Sequence, residues 1–201
     1  MQKRSKFSAT RSVVFTALMT ALVTLATVVL GFPAGDFFFN CGDAVIFVTA
    51  AILGPVPAMF AGGIGSFFAD LAVYPATMVF TLFIKGVEGL VCGLLMRLLS
   101  RVSSHGLLGA LFHVLSMAVA GTLMMTGYFV CNSFIYGTPA SALAALPADA
   151  VQWSLSLAIA TALLYGLRLI AFRDKLGFAP VPRHDAPPYR RVPHTGERSD
   201  L

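Results

Sequence analysis

The chain has 201 residues, of which 57% are hydrophobic and 11% charged, with a formal net charge of +5. Soluble domains carry about 25% charged residues, so this chain has too few to cover a surface in water, and its repeated long apolar runs mark an integral membrane protein. The basic residues form no nucleic-acid patch: Lys3, Arg4, Lys6 and Arg11 precede the first apolar run, Arg97 and Arg101 follow the fourth, and the rest, Lys85 apart, crowd the C-terminus from Arg168 to Arg198.

The first run, Val13–Leu30, follows basic residues as a signal peptide would. It is long enough to span and more spans follow, so it reads as a retained first helix behind a basic cytoplasmic N-terminus of residues 1–12. The second run, Ala44–Leu53, stops at Gly54-Pro55-Val56-Pro57, and the third covers Ala58–Ala72. These two fit either short spans or a re-entrant pair. The fourth, Thr77–Leu99, contains Lys85 and Glu88; the fifth is Leu107–Ile135 and the sixth Leu146–Phe172. The expected fold is an all-α membrane domain over residues 13–172, a six-helix bundle. Residues 173–201, rich in Pro, Arg and Asp, read as a disordered cytoplasmic tail. The stretches Gly31–Gly42, Val73–Ala76 and Gly137–Pro147 contain no Lys or Arg, which predicts an N-in/C-in topology with these loops outside.

With that orientation the polar residues gather in the outer half. Asp43 opens the second helix and Asp70 closes the third, both at the outer rim. Asp43 serves equally as a helix cap, and Asp70 as a residue of the wet interface. Thr81, Lys85, Glu88 and Cys92 form a stripe on one helix face; Tyr128 and Asn132 form a second, and Gln152 and Ser156, beside Trp153, a third. Lys85 and Glu88 are close enough to neutralise each other. Charged groups at such depth cost a few kcal/mol unless they face a partner or a cavity, and three stripes at one depth predict an outward-facing pocket for a small polar molecule. Trp153, Tyr128 and Phe37–Phe39 offer rings for a heteroaromatic ligand.

Small residues form a separate pattern. Ala17 and Ala21 are four apart on the first helix; Ala58, Gly62 and Ser66, and Ala61, Gly65 and Ala69, form rows on the third. Such rows permit close helix approach, either inside the bundle or on a separate membrane subunit. No metal site is expected: Cys41, Cys92 and Cys131 have no ligand spacing. The segment GGIGS at Gly62–Ser66 lacks the Lys of a P-loop, and neither HExxH nor GxSxG occurs. No catalytic residues and no cofactor are therefore expected, and any ATP is hydrolysed by another chain.

GDAVIF at Gly42–Phe47, AGGIGSFFADL at Ala61–Leu71, TLFIKGVEGL at Thr81–Leu90 and GYF…FIYG at Gly127–Gly137, in that order, resemble the substrate-binding S component of an energy-coupling factor (ECF) vitamin transporter over about residues 10 to 172. The subgroup it resembles carries riboflavin, hydroxymethylpyrimidine or pyridoxine. The resemblance implies six helices and a vitamin site in the outer half under the first external loop. It also implies docking of Ala17 and Ala21, as an AxxxA motif, onto a transmembrane T component, with two cytoplasmic ATPase subunits completing an importer in a bacterial-type plasma membrane. Where relatives often carry an acidic residue in the GYF…FIYG segment, this chain has Asn132. The competing reading is a self-sufficient secondary transporter coupled to protons or sodium through Glu88 or Asp70; a membrane enzyme lacks a catalytic constellation, and a purely structural subunit would bind no small molecule.

Overall fold

Each apolar run becomes a helix in the computed structural model, which describes residues 6–34, 37–102, 106–135 and 137–170. The helices are α1 (Lys6–Val29), α2 (Gly42–Ile52), α3 (Pro55–Val73), α4 (Met78–Leu99), α5 (Gly106–Ile135) and α6 (Pro139–Thr161), and the chain is an all-α membrane protein of six helices. Five are long and apolar enough to cross a membrane, and α2 is a shorter apolar helix. Between α1 and α2 lies one small addition to the expected plan, a hairpin of β1 (Phe32–Ala34) and β2 (Phe37–Phe39), paired antiparallel with Pro33 opposite Phe38. The expected tail of residues 173–201 lies outside the described residues.

The length of α2 decides where its first carboxylate goes. It has 11 residues against 19 in α3, and the two meet at Gly54, whose φ of 94° favours glycine. Counting back from that shared end at roughly 1.5 Å per residue, Asp43 stops about 12 Å short of the far end of α3. Lys85 lies at the same depth, eight residues beyond Thr77, the cap of α4. Asp43 is therefore not at the rim, as expected from sequence, but sunk and 1% exposed.

Two boundaries also differ from the sequence expectation. Helix α6 begins at Pro139, not Leu146, because Pro is tolerated in a first turn and the following Ala-rich segment buries Ala142 and Ala145. Pro147 sits inside that helix and cannot donate to Leu143. At the other end α6 stops at Thr161 and passes into a π-helical turn, Ala162–Gly166.

Packing centres on α3, which lies against α1, α2 and α4, while α4 and α6 each pack on α2 and on α5. Small residues set these distances. A Cβ on Gly62 would stand 2.6 Å from the Lys85 carbonyl oxygen, and one on Gly89 would stand 2.4 Å from that of Ala58. At the α1 contact, Thr24 donates to the Gly65 carbonyl at 2.8 Å. Ala58, Gly62 and Gly65, expected as part of a docking face, are buried by helices of their own chain. That expectation is corrected: the α3 row serves internal packing. The outer surface is the reverse of a soluble protein's, with Val13, Phe83, Leu107 and Phe134 among its exposed side chains, as lipid contact requires.

Candidate functional site

The short hairpin returns the chain to α2 through Asn40, Cys41 and Gly42. The Gly42 amide donates to Asn40 Oδ1 at 3.0 Å, a local turn that Asn favours, and delivers Asp43 into the bundle. Lys85 of α4 donates to Asp43 Oδ1. Gln152 Nε2 of α6 donates to the other oxygen, Oδ2, at 3.1 Å. Gln152 Oε1 in turn accepts from the Asn40 side-chain Nδ2 at 3.1 Å and from the Asn40 backbone amide at 3.2 Å. One continuous polar chain thus joins the loop, α2, α4 and α6 through Asp43, with Asp43, Lys85 and Gln152 all buried.

Glu88, one turn along α4, is fully buried; its Oε2 lies 3.3 Å from the Lys85 ammonium as an ion pair. Tyr128 of α5 closes another side. Its hydroxyl donates to Thr81 Oγ1 at 3.1 Å, and its ring centroid is 5.5 Å from Lys85 Nζ, within cation–π range. The two carboxylates, Asp43 and Glu88, share the single Lys85 ammonium, an arrangement that lowers the cost of burying charge in a bilayer interior. Just outside the bundle's spans, burial and then the nearby Asp43 carboxylate push the Cys41 thiol above its ordinary range.

Of the residues singled out from sequence, Asp43, Lys85, Glu88, Tyr128 and Gln152 come together here. Among the described residues, Asp70 accepts a hydrogen bond from neither Lys85 nor Gln152. It remains at the end of α3, where its Oδ2 accepts from Thr77 Oγ1 at 3.0 Å. Asn132 lies one turn beyond Tyr128 on α5, half-buried, and takes no part in the hydrogen-bonded chain. Trp153 turns its ring toward α5: a Cβ on Gly121 would fall 1.8 Å from Trp153 Cδ1. Its indole Nε1 is buried with no hydrogen-bond partner among the described residues. Ala17 and Ala21 are exposed on α1.

Two features escaped sequence reasoning. Asn40 sits in a loop, and only its Asn-x-Gly spacing hinted at a turn. The half of the bundle away from the hairpin also holds a polar pair: His113 Nδ1 of α5 meets the Tyr165 hydroxyl of the π turn. His113 is 15 residues from Tyr128, about 22 Å along α5.

The architecture is a six-helix membrane bundle with a polar cluster buried among α2, α4, α5 and α6. Comparison with known proteins gives the family. A model of the ECF-type riboflavin transporter S component matches residues 7–169, and the chain belongs to that family. It is thus a multi-pass membrane component of vitamin transport and not an enzyme. An uncharacterized protein of Pyrococcus woesei, described by its position in the gap 3′ region, is 35% identical over 130 residues, 65% of this chain and 82% of that protein.

Proposed function

We propose that this chain is the substrate-specific binding subunit of an ECF-type importer. It captures a water-soluble vitamin or precursor of the riboflavin, hydroxymethylpyrimidine or pyridoxine class from outside and delivers it inward with a transmembrane T component and two cytoplasmic ATPase subunits. The host membrane is a bacterial-type plasma membrane, with both termini cytoplasmic. The observation that carries this reading is the buried chain Asn40–Gln152–Asp43–Lys85. It ties the external loop to the polar groups of three helices, so a solute reaching those groups also meets the loop. The exposed Ala17 and Ala21 leave a small-residue face on α1 free for the T component.

Native mass spectrometry of the purified protein is expected to reveal a co-purified vitamin of these classes. Uptake of that vitamin in cells is expected only when the T component and the ATPases are co-expressed. Uptake by this chain alone would establish the ion-coupled carrier instead, and a protein that neither retains nor transports any of the three would sink the proposal.

A further inference from the structure

The end of α4 away from Asp43 carries a separate pair of basic residues. Helix α4 has 22 residues, roughly 33 Å at 1.5 Å per residue, which is close to the thickness of a bilayer's hydrocarbon core. Arg97 lies in its last turn and so reaches headgroup level. Past Leu99 the coil tightens but continues. The Ser100 amide donates to the Met96 carbonyl at 3.0 Å, that of Arg101 to Leu98 at 3.2 Å, and that of Val102 to Leu99 at 3.0 Å. Arg101 therefore follows Arg97 about one turn on. Leu94, Arg97, Leu98, Arg101 and Val102 are all exposed, and three- and four-residue steps keep them on one helix face. Toward the bilayer centre this face is apolar, at Leu94 and Leu98; at its end it is basic.

Neither guanidinium forms an ion pair among the described residues, and the sequence has no Asp or Glu between Glu88 and Asp149. Arg97 is also held in place. A Cβ on Gly54 would stand 3.1 Å from Arg97 Nη2, so the bare glycine of the α2–α3 break leaves room for the guanidinium above it. The surroundings favour lipid over a protein neighbour. Gly65 faces α1 and Gly63 faces α4, and two residues turn a helix through about 200°, so α1 and α4 lie on opposite flanks of α3. A partner seated on the open face of α1 leaves this end of α4 to the bilayer. Phosphate is the anion a bilayer supplies at that level, and a guanidinium meets it with paired N–H donors.

We infer that Arg97 and Arg101 form a headgroup site for one anionic phospholipid, with an acyl chain lying along Leu94 and Leu98. In the orientation proposed above this lipid belongs to the cytoplasmic leaflet, whose anionic lipids attract basic residues at helix ends. Purified full-length protein in detergent micelles would be titrated with phosphatidylglycerol, and separately with phosphatidylcholine, and the bound lipid read by native mass spectrometry. The unmodified protein is expected to retain one phosphatidylglycerol and no phosphatidylcholine. Arg97→Gln and Arg101→Gln are each expected to weaken retention about 5-fold, and the double variant about 30-fold. Arg97→Lys/Arg101→Lys keeps the charge but not the paired donors, and is expected to recover only part of the loss. Arg168 supplies the comparison. It is exposed beyond the π turn of α6, at the same end of the bundle because short connections make α4, α5 and α6 antiparallel neighbours in turn. Arg168→Gln is expected to leave retention unchanged. All the substituted side chains are exposed, so the variants are expected to melt as the unmodified protein does in phosphatidylcholine nanodiscs, and any one of the Gln variants at Arg97 or Arg101 that does so decides the matter. Undiminished retention in such a variant, or an equal loss in Arg168→Gln, would overturn the inference. So would release of the lipid by inorganic phosphate, which would assign the site to the free anion. Loss of co-purification with the T component while the lipid stays bound would overturn it in favour of a protein contact.

Discussion

Asp43 uses both carboxylate oxygens, one for Lys85 and one for Gln152, so the two partners are linked through it although they sit on different helices. Removing the ammonium leaves two carboxyls buried together, whereas removing the amide breaks bonds between groups that remain otherwise paired. Breaking a buried ion pair from one side costs about 3–5 kcal/mol, against about 1–3 kcal/mol for an unsatisfied neutral partner. Lys85→Met is therefore expected to lower the melting temperature of the detergent-solubilised protein more than Gln152→Ala. The double variant Lys85→Met/Glu88→Gln should recover part of the loss, because it also removes a carboxylate; equal melting of the two single variants would contradict this account. Cys41 reports on the same cluster from its edge. Burial and the Asp43 charge both disfavour its thiolate, and only the thiolate is alkylated. In a Cys92→Ala/Cys131→Ala background, maleimide labelling of Cys41 is expected to be slower than that of a free cysteine at neutral pH. Its rate should keep rising with pH beyond the point where the free thiol levels off. A rate profile matching free cysteine would show that Cys41 lacks this environment.

At the scale of helices, α3 is the element that closes the bundle, and its glycines are spaced for backbone contact, not for flexibility. Gly62→Ala would push a methyl group against the Lys85 carbonyl, where the nearest atom belongs to a helix backbone that cannot swing aside. Gly86 has ordinary spacing, its nearest neighbour 3.6 Å from an added Cβ. Overpacking a tight contact costs about 1–3 kcal/mol, so Gly62→Ala is expected to destabilise the protein clearly and Gly86→Ala much less, by thermal melting side by side. The same helices show what was legible beforehand. The stripe Thr81, Lys85, Glu88 on α4 and the position of Gln152 on α6 were readable because a helical period fixes which side chains share a face. The depth of Asp43 was not, since it follows from how far α2 falls short of α3 after the break at Gly54. Nor did the spacing of Ala58, Gly62 and Gly65 say what would cover them: an i,i+4 row marks a narrow helix face, and only the packed bundle shows that α1, α2 and α4 occupy it. Asn40 was missed because its contact with Gln152 joins residues 112 apart through a hairpin without helical period.

Among the described residues of the helices, apolar bulk faces outward while Asp43, Lys85 and Glu88 face inward, so orientation must be set by the charges at the helix ends and in the loops. Arg97 and Arg101 flank one end of α4, and the Val73–Ala76 stretch at its other end has no basic residue, which predicts that end outside. In a Cys41→Ser background, Ala76→Cys is expected to react with a membrane-impermeant maleimide on intact cells and Val102→Cys only after permeabilisation; the reverse pattern would invert the topology. Within that orientation α1 is the helix least enclosed by its neighbours, with 17% of its most apolar stretch buried. Its open face carries Val14, Ala17, Leu18, Ala21 and Leu25, all exposed, so the two alanines form a shallow notch between larger side chains. Lipid needs no notch, whereas a second helix gains close contact from one. Ala17→Trp and Ala21→Trp fill it without touching Asp43, Lys85 or Glu88, because the buried face of α1 is a different one, marked by Val23, Ala26 and Thr27. Each variant is expected to bind the vitamin with unaltered affinity, to lose co-purification with the T component, and to abolish uptake. A variant that still forms the full complex and transports would show that the notch faces lipid alone, and one that loses vitamin binding as well would show that α1 shapes the site from a distance.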